Sequence, residues 1–158
     1  MLLMDTVMPE IQENTALAFE GIEIFDFHFN VQRQYDRETP VKVNITPKLL
    51  LPPDDNTHEF SVLMETELEA EGFFTISLSA VGKFAFRGEV DDTTHETFTH
   101  INAAAIMFPY IRAFISSVTT NAGSLIGPIT LPIHFFNGKL DKYEPPQPPK
   151  GVQQLDPA

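Results

Sequence analysis

The sequence predicts an α+β fold: a four-stranded antiparallel sheet with one face covered by a long, kinked C-terminal helix. Two observations lead there. Between Phe25 and Phe86, successive segments alternate apolar with polar residues, the two-residue period of half-buried strands. After them comes one long apolar stretch, AAIMFPYIRAFISSVTTNAG, with Pro109 inside it and Gly123 at its end. At 158 residues the chain is long enough for one domain with a real core and too short for two full ones. The expected organisation is a flexible arm over 1–16, the folded domain over 17–138, and a proline-rich disordered tail over 139–158.

The first strand is read from FEGIEIFDFHFNVQRQ. Phe25, Phe27, Phe29 and Val31 oppose Asp26, His28, Asn30 and Gln32, while Ile22 and Ile24 fall on the other parity. The parity break predicts a bulge between Gly21 and Phe25. VKVNITPK sets Val41, Val43 and Ile45 against Lys42, Asn44 and Thr46, a second strand expected to end at Pro47. Paired prolines and an Asp-Asp-Asn cluster then mark a turn. In EFSVLMETELEAE, Phe60, Val62, Met64, Leu68 and Ala70 share one face and Glu65, Glu67, Glu69 and Glu71 the other. Gly72 turns the chain into FFTISLSAVGKFAFRGE, where Phe74, Ile76, Leu78, Ala80, Phe84 and Phe86 line one face. Four strands with one apolar and one acid-rich face need a cover on the apolar side.

The helix supplies the cover. Asp92, Thr93 or Thr94 is expected to cap it, Gly123 to stop it, and Pro109 to kink it by removing the hydrogen bond to Ala105. Apolar residues surround most of its circumference. One stripe of about 100° is enough to cover a sheet, so the excess predicts a second contact surface.

Charge and composition exclude several classes. With 22 acidic and 10 basic residues the net charge is -12, which repels phosphate backbones and anionic lipid headgroups; no nucleic-acid partner is expected. There is no cysteine, so disulfides, thiolate metal sites and thiol nucleophiles are absent, in keeping with a reducing compartment. The start, MLLMDTVMPE, does not read as a signal peptide. The apolar run falls short of the roughly 20 residues a bilayer requires, and Arg112 within it would cost about 2.5–3.5 kcal/mol on insertion. No membrane insertion is expected. The histidines His58, His95, His100 and His134 are scattered without metal-ligand spacing, and no phosphate-binding glycine loop appears, so no metal, cofactor or catalytic residue is assigned.

Strands first, then a helix containing FPYIR, a glycine-ended turn and LPIHFF: this order resembles the SecB family of export chaperones. The matching residues are Phe108, Pro109, Tyr110 and Arg112, then Pro132 and Phe135, and the resemblance spans about Leu17 to Phe136. It implies a cytoplasmic homotetramer, a dimer of dimers with the helices sandwiched between sheets. It also implies an ATP-independent holdase that keeps unfolded preproteins translocation-competent and passes them to SecA. On that reading Tyr35, Phe108, Tyr110, Phe114, Phe135 and Phe136 are candidates for a client groove. Ile106, Met107, Ile111, Phe114 and Val118 are candidates for the oligomer interface, and Asp26, Glu65 and Glu67 for translocase docking. Asn30, Thr75 and Ser77 depart from the family pattern on that docking face. Relatives of this kind also serve other clients, including antitoxins. From a different class, a hot-dog-like acyl-thioester enzyme also wraps an antiparallel sheet around a long apolar helix.

Overall fold

The computed structural model describes residues 16–53, 58–134 and 136–146. Residues 1–15 of the expected arm, 147–158 of the expected tail, part of the Asp-Asp-Asn turn and Phe135 lie outside the described residues. The elements are β1 (Leu17–Val31), β2 (Lys42–Leu50), β3 (Glu59–Ala70), β4 (Phe74–Phe86), a helix in three parts, and a two-residue β5 (Asp141–Lys142). The sheet order is β1-β4-β3-β2-β5. Neighbours are antiparallel except β5, which runs parallel to β2 and puts a fifth, short strand beside the four expected. The folded region therefore extends beyond residue 138, the expected limit.

Two bulges in β1 reconcile its mixed parity. Glu20 and Phe25 are the extra residues, so Leu17 and Phe19, then Ile22 and Ile24, then Phe27, Phe29 and Val31 all stand opposite inward-facing residues of β4. Phe25, expected on the inner face, is thereby pushed out and is 62% exposed. β2 does not end at Pro47 but pairs with β3 as far as Leu50. The Leu49 carbonyl accepts from the Tyr143 N–H, so its polar groups face away from β3. By the two-residue period those of Pro47 face away too, where a missing donor breaks no β2–β3 bond.

The apolar face of the sheet carries Phe60, Val62, Met64, Leu68, Phe74, Ile76, Leu78 and Phe84, all buried beneath the helix. The helix consists of α1 (Asp92–Thr97), a π-helical turn (Phe98–Asn102) and α2 (Ala103–Asn121). Its cap is Asp91, one residue earlier than the expected candidates: the Thr94 N–H donates to Asp91 Oδ1 at 2.7 Å. That bond holds the Asp91 carboxyl below its ordinary pKa. Gly123, at φ 97°, ends the helix in the left-handed conformation that glycine adopts without strain.

α2 runs on through Pro109, and the departure from α geometry lies earlier, where the Ala103 N–H donates to the Phe98 carbonyl. Ala105 and Pro109 are both exposed, so the carbonyl that loses its helix donor is on the wet side and the helix is not split there. By length and composition the Asp92–Asn121 helix could cross a membrane; in the structure its buried side rests on the sheet.

Beyond the helix the chain returns along its flank as a strap. The Ile129 N–H donates to Thr119 Oγ1 at 2.9 Å. Arg112 Nε donates to the Leu131 carbonyl at 2.6 Å, and the Leu140 N–H to His100 Nδ1 at 3.0 Å. Side chains of the helix thus hold the backbone of a segment with no regular ladder of its own.

Candidate functional site

The helix divides around its axis. Ala103, Met107, Ile111, Ile115 and Thr119, each one turn from the next, are fully buried on the sheet, with Ala104 and Phe108 beside them. Met107 and Ile111 are therefore core residues, not available to an oligomer interface as expected. A Cβ on Gly82 would come within 3.0 Å of Met107 Sδ, so the absent side chain is what lets the helix approach β4 this closely. On the opposite side Ala105, Ile106, Pro109, Tyr110 and Ala113 face out. Ile106 is 37% and Tyr110 51% exposed, while Phe114 and Val118 are half-buried at the margin.

The five expected groove residues that are described, all but Phe135, are distributed over three places. Phe108 of the helix and Phe136 of the strap meet edge to face at 5.6 Å, with His134, also on the strap, against Phe136 at 4.6 Å. Tyr110 and Phe114, on the other flank, pack on β1 through Phe19 (5.1 Å) and Phe27 (5.2 Å). Residues 108 and 110 are about 200° apart around a helix, which is why one groove cannot hold both. Tyr35 lies at the far end of the sheet, edge-on to Phe73 and Phe74, with its hydroxyl donating to the Thr39 carbonyl and its N–H to that of Leu125. Phe108 is only 4% exposed and forms a wall rather than a free surface.

Between helix and strap lies a cavity of about 260 Å³ lined by Ala105, Phe108, Pro109, Arg112, Ile133 and His134. Ile133, 69% exposed, forms its outer lip. Sequence reasoning missed Ile133 because the strap has no period to reveal which side chains face out.

The sheet's other face is polar. Asp26 stands beside Ser79, which stands beside Glu65; in the next row His28, Ser77 and Glu67 are in line. The three proposed docking acids thus share one face, flanking a hydroxyl-bearing central strand. Asp26 Oδ1 lies 2.9 Å from His28 Nε2, Glu67 is exposed and Glu65 half-buried. Asp36 serves folding instead: it accepts from the N–H groups of Thr39 and Glu38 and from the Thr39 hydroxyl, which together hold its pKa down and shape the loop carrying Tyr35.

Comparison with known proteins agrees with this architecture. Residues 25–136 match the family model described as preprotein translocase subunit SecB; the chain belongs to the SecB family. An uncharacterised protein of Methanocaldococcus jannaschii is 29% identical over 129 residues, 78% of this chain and 81% of that protein. Among solved structures, the fold is similar to that of a Mycobacterium tuberculosis SecB-like chaperone in complex with a ChAD peptide from the HigA1 antitoxin. That similarity has a TM-score of 0.60 at 19% identity, over 75% of this chain and 88% of that one. A Streptococcus agalactiae protein of unknown function matches with a TM-score of 0.47 at 16% identity, over 74% of this chain and 97% of that one.

Proposed function

We propose that the protein is an ATP-independent holdase that binds unfolded chains along the channel between α2 and the strap. The observation that carries this is the cavity between Phe108, Pro109, Arg112 and Ile133, with Ile133 at its outer lip 69% exposed. Apolar surface gathered in this way marks a binding site. Unfolded chains offer apolar side chains that folded ones bury, so selection among clients follows from exposure alone. In this reading the protein acts in the cytoplasm as a dimer of dimers and performs no catalysis; hydrolysis of an acyl-thioester substrate would favour the enzyme class instead. The deciding experiment is light scattering by a denatured client diluted into buffer without ATP. Stoichiometric protein is expected to suppress aggregation and Ile133→Asp to suppress it less. Scattering unchanged by the wild-type protein would sink the reading.

Hand-over to SecA is supported by Asp26, Glu65 and Glu67 sharing the outer face. Asp26→Lys is expected to weaken SecA binding while sparing client binding. A wild-type protein with no measurable affinity for SecA would leave a dedicated client, such as an antitoxin, as the alternative.

A further inference from the structure

Among the described residues lining the cavity, Arg112 is the one permanently charged side chain, and its guanidinium is only partly committed. Nε is held by the Leu131 carbonyl at 2.6 Å. Its other four donor hydrogens, on the two terminal nitrogens, have no recorded acceptor among the described residues, and the side chain is half-buried. The Nε bond fixes the plane of the group, so these remaining donors are oriented in advance. One turn earlier, Pro109 has no N–H to give to Ala105, and Ala105 lines the same cavity. The cavity therefore combines apolar walls (Phe108, Pro109, Ile133) with unused donors and a carbonyl released from the helix ladder.

An extended chain entering such a site loses water from its backbone as well as its side chains, and a buried amide without a partner is costly. A site for many sequences cannot depend on one polar side chain, but every client brings a peptide carbonyl. Among side-chain acceptors, carboxylates pair most strongly with a guanidinium, and a protein of net charge -12 repels them. We propose that the cavity takes an apolar client side chain while the free edge of Arg112 donates to a backbone carbonyl of the same client. Arg112 then sets the depth and register of the bound chain. This rests on the holdase reading and adds to it the polar half of client recognition.

The test is a double-mutant cycle on peptide affinity, with an amide-to-ester scan along an apolar peptide as one arm and Arg112→Met as the other. An ester carbonyl is a weaker acceptor, so one ester position is expected to lower wild-type affinity about tenfold and to cost Arg112→Met nothing further. A purely structural role for Arg112, through Leu131, would lower affinity for all peptides with no coupling to any ester position, and that result overturns the proposal. Peptides with Glu, Gln or Lys beside the apolar anchor complete it. Similar losses in Arg112→Met for all three are expected, and a loss confined to the Glu peptide would assign the acceptor to a carboxylate instead. Wild-type protein that binds no peptide and suppresses no aggregation refutes the holdase reading itself; binding without coupling refutes only this inference.

Discussion

Thr66 shows what one residue can cost in an otherwise apolar layer. It sits on the inner face of β3 between Ile45 and Leu78, is fully buried, and its hydroxyl has no partner among the described residues. Thr97 and Thr119 in the helix behave differently and donate to carbonyls one turn back, whereas Thr99 in the π-helical turn is buried with no partner among the described residues, like Thr66. A strand offers no such acceptor, so the hydroxyl loses water and gains nothing. Thr66→Val keeps the shape and removes the unpaired group, and should raise stability by about 1–2 kcal/mol. Denaturant unfolding would show a higher midpoint at unchanged slope, whereas a lower midpoint would mean that the hydroxyl has an acceptor in solution.

The elements were legible to different degrees, for identifiable reasons. β3 and β4 pair without a register shift because neither contains a bulge, so their faces follow from the order of residues even though Thr66 interrupts the apolar face of β3 and Leu63 its polar one. In β1 the parity break located the bulges, yet which phenylalanine left the inner face depended on pairing with β4. β2 continued through Pro47 because only the side facing away from β3 lost a donor, which a sequence does not display. The helix start also moved, to Asp91. Since its carboxyl is held below the ordinary pKa by the Thr94 N–H, its contribution is complete above the usual carboxylate range and disappears as pH falls through the lowered pKa. Asp91→Ala should therefore melt earlier than wild type near neutral pH, and the gap should close in acid. A gap independent of pH would mean that the charged cap contributes nothing.

At the scale of the whole molecule, the helix has two apolar sides and only one of them is used within the chain. Met107 and Ile111, expected at a subunit interface, are consumed by the sheet, while Ile106 and Tyr110 remain outside. In the proposed dimer of dimers this outer side is where the helices of two dimers meet, and the strap flank is left for clients. Ile106→Asp is expected to shift the native mass from tetramer to dimer while leaving the circular dichroism spectrum unchanged. An unaltered mass would remove Ile106 from the interface. Phe114 is a less decisive probe, because its ring packs on Phe27 of its own chain and a charge there would disturb β1 as well.

By itself the sequence determined the class of fold, the apolar and acidic faces of the sheet, the end of the helix at Gly123 and, through FPYIR and LPIHFF, the family. These follow from periods, turn residues and local motifs, which are properties of neighbours along the chain. The tertiary structure decided which arc of the helix is core, that Phe108, Tyr110 and Tyr35 belong to three separate places, and that Ile133 and Arg112 face one cavity with Phe108. Those placements depend on the helix's rotation against the sheet and on a strap held by side chains such as Thr119, Arg112 and His100, contacts between residues far apart in sequence that no local pattern encodes.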